Sequence, residues 1–122
     1  MTRVLIADND VDSHELMDDL IEINFRDAQI DHALTKESFL EKIDEIDKAP
    51  NLVIFNFDLD NDNETGIIHQ LRERYPDLLD RIVFIASDDD NKSMAALGKW
   101  PVLSRPFSLD HFEEVVKKVC VR

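Results

Sequence analysis

Leu52-Val53-Ile54-Phe55-Asn56-Phe57 is the strongest strand signal in the chain, and it runs straight into an acidic stretch, Asp58-Leu59-Asp60-Asn61-Asp62-Asn63. A short apolar run that stops at a polar loop reads as a parallel strand buried on both faces. Asn56 is the one polar side chain in that run, and it lies at the carboxyl end. The same arrangement repeats outward in both directions.

Upstream, Val4-Leu5-Ile6-Ala7 ends in Asp8-Asn9-Asp10. Asp12, with Glu15 three residues on, has capping-box spacing for a helix whose apolar face would carry Leu16, Leu20 and Ile23 beside Met17 and Ile21. A weaker strand spans Gln29 to Ala33. Thr35 is placed to cap a helix through Lys48 with Phe39, Ile43 and Ile46 on one face, and Pro50 stops it. Downstream, a helix from about Glu64 to Arg74 carries Ile67, Ile68 and Leu71, and Pro76 follows its end. Arg81 to Ala86 is a fourth strand. A short helix holds Met94, Ala95 and Leu97, with Gly98 as its C′ residue. Val102-Leu103-Ser104 is a fifth strand. Ser108 caps a last helix, with Leu109, Phe112, Val116 and Val119 facing inward.

Strands alternating with helices predict an α/β domain with a five-stranded parallel sheet and helices on both faces. In such sheets ligand chemistry gathers at the carboxyl ends of the strands. Those ends read Asp8-Asn9-Asp10, Asn56 to Asp58, Ala86-Ser87 and Ser104-Arg105, so polar residues from four strands should meet in one crevice.

Composition narrows the function. The 122 residues suit one domain, 1–122, with no linker or internal repeat. The formal net charge of −13 disfavours nucleic acid and anionic membranes, and leaves basic protein surfaces or cations as partners. No apolar run approaches the roughly 18 residues of a membrane span. The N-terminus lacks the apolar core of a signal peptide, and Cys120 is the only cysteine. A cytoplasmic protein is the expectation.

The order of elements and their punctuation resemble the receiver domains of two-component signalling, nearly end to end. The best-matched segment is Gly98 to Phe107, a glycine seven residues before a basic-Pro-Phe tripeptide, Arg105-Pro106-Phe107. The resemblance implies a flavodoxin-like strand order 2-1-3-4-5, no output domain within these residues, and a commonly cis peptide at Arg105–Pro106. It also implies a phosphoacceptor pocket. The family's paired acids fall on Asp8 and Asn9, its phosphate-accepting aspartate on Asn56, its hydroxyl residue on Ala86 with Ser87 alongside, and its lysine on Arg105. The aromatic switch position falls on Val102, with Trp100 two residues earlier.

These departures bear on the chemistry. Phosphoryl transfer to a carboxylate needs that carboxylate and a Mg²⁺ held largely by anionic oxygens. Asparagine keeps the shape of aspartate and loses its charge and nucleophilicity. Arginine brings a planar fork instead of a point charge. The pocket of Asn56, Asp8, Asn9, Ala86, Ser87 and Arg105 therefore reads as degenerate. The expected function is a phosphorylation-independent signalling module that binds a protein partner, with no enzymatic activity, cofactor or dedicated metal. The family's partner surface would lie here between about Lys92 and Val119, including Met94, Trp100, Val102 and His111. Trp100 can equally pack beneath the last helices.

One alternative stays open. Asp58 lies eight residues before Gly66, close to the family's spacing between the phosphoacceptor and a glycine. It would be the phosphoacceptor if the loop carries no insertion, with a weak Mg²⁺ site at Asp8 and Asp58. A third reading, a small-molecule binder, is disfavoured because two glycines leave little for a phosphate-cradling loop. The alternation of Asp58, Asp60 and Asp62 lacks the glycine and glutamate of a calcium loop, whose places hold Asn63 and His69. His14, His32, His69 and His111 share no spacing, and a surface position is expected for each.

Overall fold

The structure, a computed structural model, describes residues 2–45, 50–56, 59, 67–87, 101–105 and 108–120, with the backbone alone for 86, 87, 104, 105 and 120. The elements are β1 (Arg3–Ala7), α1 (Val11–Asn24), β2 (Gln29–Ala33), α2 (Lys36–Glu45), β3 (Leu52–Asn56), α3 (Ile67–Arg74), β4 (Ile82–Ser87), β5 (Val102–Arg105) and α4 (Leu109–Cys120). The five strands form one sheet in the order β2-β1-β3-β4-β5. All four pairings are parallel. This is the expected flavodoxin-like order.

Period-two alternation divides the sheet's side chains between two apolar layers. Val4, Ile6, Leu52, Ile54, Val83, Ile85 and Leu103 pack with Met17, Leu20 and Ile21 of α1 and with Phe112, Val115, Val116 and Val119 of α4. Leu5, Ala7, Val53, Phe55, Ile82 and Phe84 pack on the other side with Phe39 and Ile43 of α2 and with Ile67 and Leu71 of α3. Phe55 stands edge-on to Phe39 and Phe84, with ring centroids 5.0 and 6.0 Å away. Each side chain buried this way contributes about 1.5–3 kcal/mol of transfer free energy.

Helix starts are set by side chains. Asp10, not Asp12, is the N-cap of α1: its carboxylate accepts from the Asp12 N–H at 3.0 Å. Asp12 is instead in the first turn, where its charge faces the positive end of the helix dipole. Thr35 caps α2 as expected, through reciprocal bonds with Ser38: Ser38 N–H to Thr35 Oγ1 at 3.0 Å and Thr35 N–H to Ser38 Oγ at 3.1 Å. Ser108 Oγ accepts from the His111 N–H at 3.1 Å at the start of α4.

Several expectations are corrected. Leu16 and Ile23 are 52% and 65% exposed, because α1 packs on a stripe through His14, Met17, Leu20 and Ile21. Leu109 is also exposed, lying in the first turn of α4 before the helix reaches the sheet. A 3₁₀ turn, Pro76–Asp80, joins α3 to β4 and buries Leu78. The helix expected around Met94, Gly98, the Arg105–Pro106 peptide and the end of α2 beyond Glu45 lie outside the described residues. Among the described residues, no helix is long and apolar enough to cross a membrane.

Candidate functional site

The register of β1 on β3 places the site. Ala7 pairs with Phe55, so the next residues, Asp8 and Asn56, stand side by side at the carboxyl edge of the sheet. By alternation both follow Ile6 and Ile54, and so point toward the α1 side. Both are buried, at 0% and 3% exposure. Asn56 Nδ2 donates to Asp8 Oδ1 at 3.1 Å, and the Asp10 N–H donates to the same oxygen at 2.9 Å. The amide must turn its NH₂ toward Asp8, because its carbonyl would set oxygen against oxygen.

The other expected pocket residues are placed by backbone. Asn56 pairs with Ile85 on β4, and on β5 Ser104 pairs with Ala86 and Arg105 with Ser87. Ala86, Ser87 and Arg105 therefore lie on the same edge as Asn56, although their side chains are not described. Asn9 is exposed next to Asp8. Asp58, Met94 and Trp100 lie outside the described residues. Of the expected partner surface, His111 is exposed on α4, and Val102 is half-buried against the layer under α2 and α3.

A fold of this kind raises the question of Mg²⁺. The described residues at this edge do not fit it. Asp8 is the buried carboxylate there and its Oδ1 already accepts two N–H groups, the exposed Asp10 carboxylate caps α1, and Asn56 presents an amide NH₂ where Mg²⁺ would take a hard anionic oxygen. Among the described residues, no group of three or more His, Cys, Asp or Glu is arranged to hold a metal ion.

A second polar cluster lies behind Asp8. His14, expected at the surface, is 6% exposed. It occupies the inward stripe of α1 one turn before Met17, and that spacing was the available signal. Its Nε2 lies 2.7 Å from the Asp8 carbonyl oxygen. Its Nδ1 lies 2.6 Å from Nδ1 of His32, whose strand position pairs with Ile6 and so faces α1. His32 Nε2 is in turn 3.1 Å from Asp18 Oδ1, one helical turn beyond His14.

No family model matches the chain, and no curated protein matches it in sequence. Solved structures do match its fold. A response regulator receiver domain protein from Clostridium thermocellum superposes with a TM-score of 0.75 at 14% identity, covering 100% of this chain and 96% of that one. A putative response regulator from Chloroflexus aurantiacus gives 0.80 at 18% identity, covering 99% and 98%. A response regulator receiver protein from Burkholderia phymatum gives 0.73 at 20% identity, covering 99% and 96%. Identities this low speak for the fold, and the strand order, the helices on both faces and near-complete coverage agree on it. The chain therefore has the fold of the receiver domains of two-component response regulators.

Proposed function

We propose that this chain is a pseudo-receiver: a cytoplasmic signalling module that binds a protein partner in a two-component or phosphorelay-type system without a phosphorylation switch. The observation that carries this reading is the hydrogen bond from Asn56 Nδ2 to Asp8 Oδ1 at the end of β3. An amide there has no nucleophilic carboxylate to accept a phosphoryl group. It also donates to the buried carboxylate of Asp8, whose Oδ1 accepts from the Asp10 N–H as well, so that oxygen is hydrogen-bonded without a cation. On this reading the module is not an enzyme and carries no cofactor. Its partner is a protein, favoured by a basic surface because the chain carries a net charge of −13. The face around Met94, Trp100, Val102 and His111 is the proposed contact.

The test is incubation with Mg²⁺ and acetyl phosphate, or with Mg²⁺ and a beryllofluoride mimic, read by intact-mass spectrometry and amide NMR. The expected result is an unmodified mass and an unchanged spectrum, while the Asn56→Asp variant responds. A stoichiometric adduct on Asp58 in the natural chain would overturn the proposal.

A further inference from the structure

The His14–His32 contact fixes which ring nitrogens carry hydrogen. His14 Nε2 faces the Asp8 carbonyl oxygen at 2.7 Å. A carbonyl only accepts, so the neutral His14 ring carries its N–H on Nε2 and a lone pair on Nδ1. The two Nδ1 atoms lie 2.6 Å apart, and the rings meet edge-on with planes at 69°. The hydrogen between them therefore comes from His32, whose neutral ring carries its N–H on Nδ1. That leaves His32 Nε2 bare. It faces Asp18 Oδ1 at 3.1 Å, a buried oxygen with no hydrogen bond. Neutral rings thus satisfy two contacts of the chain, and the third sets a lone pair against a carboxylate oxygen.

We propose that this chain of contacts is a proton-operated fastener between α1 and the edge strand β2, with His32 Nε2 as the atom that takes the proton. Imidazole is the side chain that changes charge between about pH 5 and 8. A proton on Nε2 turns the repulsive contact into a charge-assisted hydrogen bond to Asp18, while His32 Nδ1 goes on donating to His14. His14 is not the acceptor, because an N–H on its Nδ1 would meet the N–H of His32. The His32 and Asp18 side chains are 37% and 35% exposed, so the proton arrives directly from solvent. Among the described residues, the titratable groups in contact with the His32 ring are His14 and Asp18, both from α1. From β1, Ile6 pairs with His32, and Asp8 reaches the chain through its backbone carbonyl. Asp31 turns to the opposite face of β2 by alternation, where it is bound to Arg3 at 3.2 Å. The α2 helix packs on that opposite face as well, through Phe39 and Ile43. Lowering the pH through the imidazole range therefore adds one bond between α1 and β2 and breaks none. Because His14 holds the Asp8 carbonyl, the fastener ends directly behind the Asn56 pocket. The inference is independent of whether that pocket can be phosphorylated.

The experiment follows the imidazole nitrogens of the full chain by long-range ¹H–¹⁵N NMR from about pH 8 to about pH 5.5, with amide hydrogen exchange measured at both ends. At the alkaline end the expected spectrum shows His14 protonated on Nε2 and His32 on Nδ1. At the acid end His32 carries hydrogen on both nitrogens and His14 is unchanged. Exchange protection of the β2 amides, corrected for the intrinsic rate, should rise by about 3–10-fold toward the acid end, the worth of one added hydrogen bond. Asp18→Asn supplies an amide N–H to the bare Nε2 at either end, so its protection should not change with pH. The proposal fails if His32 is protonated on Nε2 alone at the alkaline end, if His14 takes the second proton, or if β2 protection is the same at both ends. A pH response identical in Asp18→Asn and the natural chain sinks it too. The spectra are read on the unmodified protein, so the result does not depend on the variant folding.

Discussion

Replacing Asn56 by aspartate exchanges a hydrogen-bond donor for a negative charge at a buried position. In the natural chain Asn56 Nδ2 donates to Asp8 Oδ1 at 3.1 Å. A hydrogen bond to a charged acceptor contributes about 1.5–3 kcal/mol. The substitution removes it and sets two carboxylates against each other. At about 4 Å and an effective dielectric near 20, that repulsion is about 4 kcal/mol. Both groups are almost wholly buried, so salt screens the pair little. Allowing for relaxation, Asn56→Asp should lose about 3–5 kcal/mol of stability in the absence of divalent cations. For a chain of this size that is roughly a 2 M fall in the urea midpoint. Two adjacent carboxylates are what Mg²⁺ chelates, so millimolar Mg²⁺ should restore at least half of the loss in the variant and leave the natural chain unchanged. Asn56→Ala, which removes the donor without adding charge, should lie between the two and ignore Mg²⁺. Equilibrium urea denaturation by circular dichroism, with and without Mg²⁺, measures all three. An Asn56→Asp protein within about 0.5 kcal/mol of the natural chain would refute the argument, as would a natural chain that gains as much from Mg²⁺.

Three further outcomes test the packing. Phe55→Ala should destabilise by about 3–5 kcal/mol in the same assay, and a Phe39/Phe55 double-mutant cycle should show about 0.5–1.5 kcal/mol of coupling from their edge-on contact. Met17→Ala should cost about 2–5 kcal/mol, while Leu16→Ser and Ile23→Ser on the outer face of the same helix should stay within about 0.5 kcal/mol. Asp10→Ala should remove about 1 kcal/mol and speed amide exchange at Asp12, whereas Asp12→Ala should change both far less.

Most of the fold was legible because it is written in local pattern. The limits of β2, the carboxyl end of β1, the start of β3 and the apolar stripes of α2 and α3 follow from runs and periods that a few neighbouring residues define. Errors came where two local solutions are nearly equal. Asp10 and Asp12 both suit an N-cap, and the extended backbone of Asp10, at φ −104° and ψ 115°, decides between them. Leu16 and Ile23 suit an apolar face as well as Met17 and Ile21 do, and the angle at which α1 meets the sheet decides which pair is buried.

The site divides along the same line. By itself the sequence determined that Asp8 and Asn56 close two of the apolar runs, and it left Asp58, two residues on, as a second candidate at the end of the third. A parallel sheet with that strand order must then bring the two to one edge. Only the tertiary structure decided that they bond to each other, because the pairing of Ala7 with Phe55 is a long-range register that no local window contains. Only the tertiary structure brought His14 and His32 together. One is placed by the period of a helix and the other by the alternation of a strand, and their contact exists only once that helix is laid across that strand.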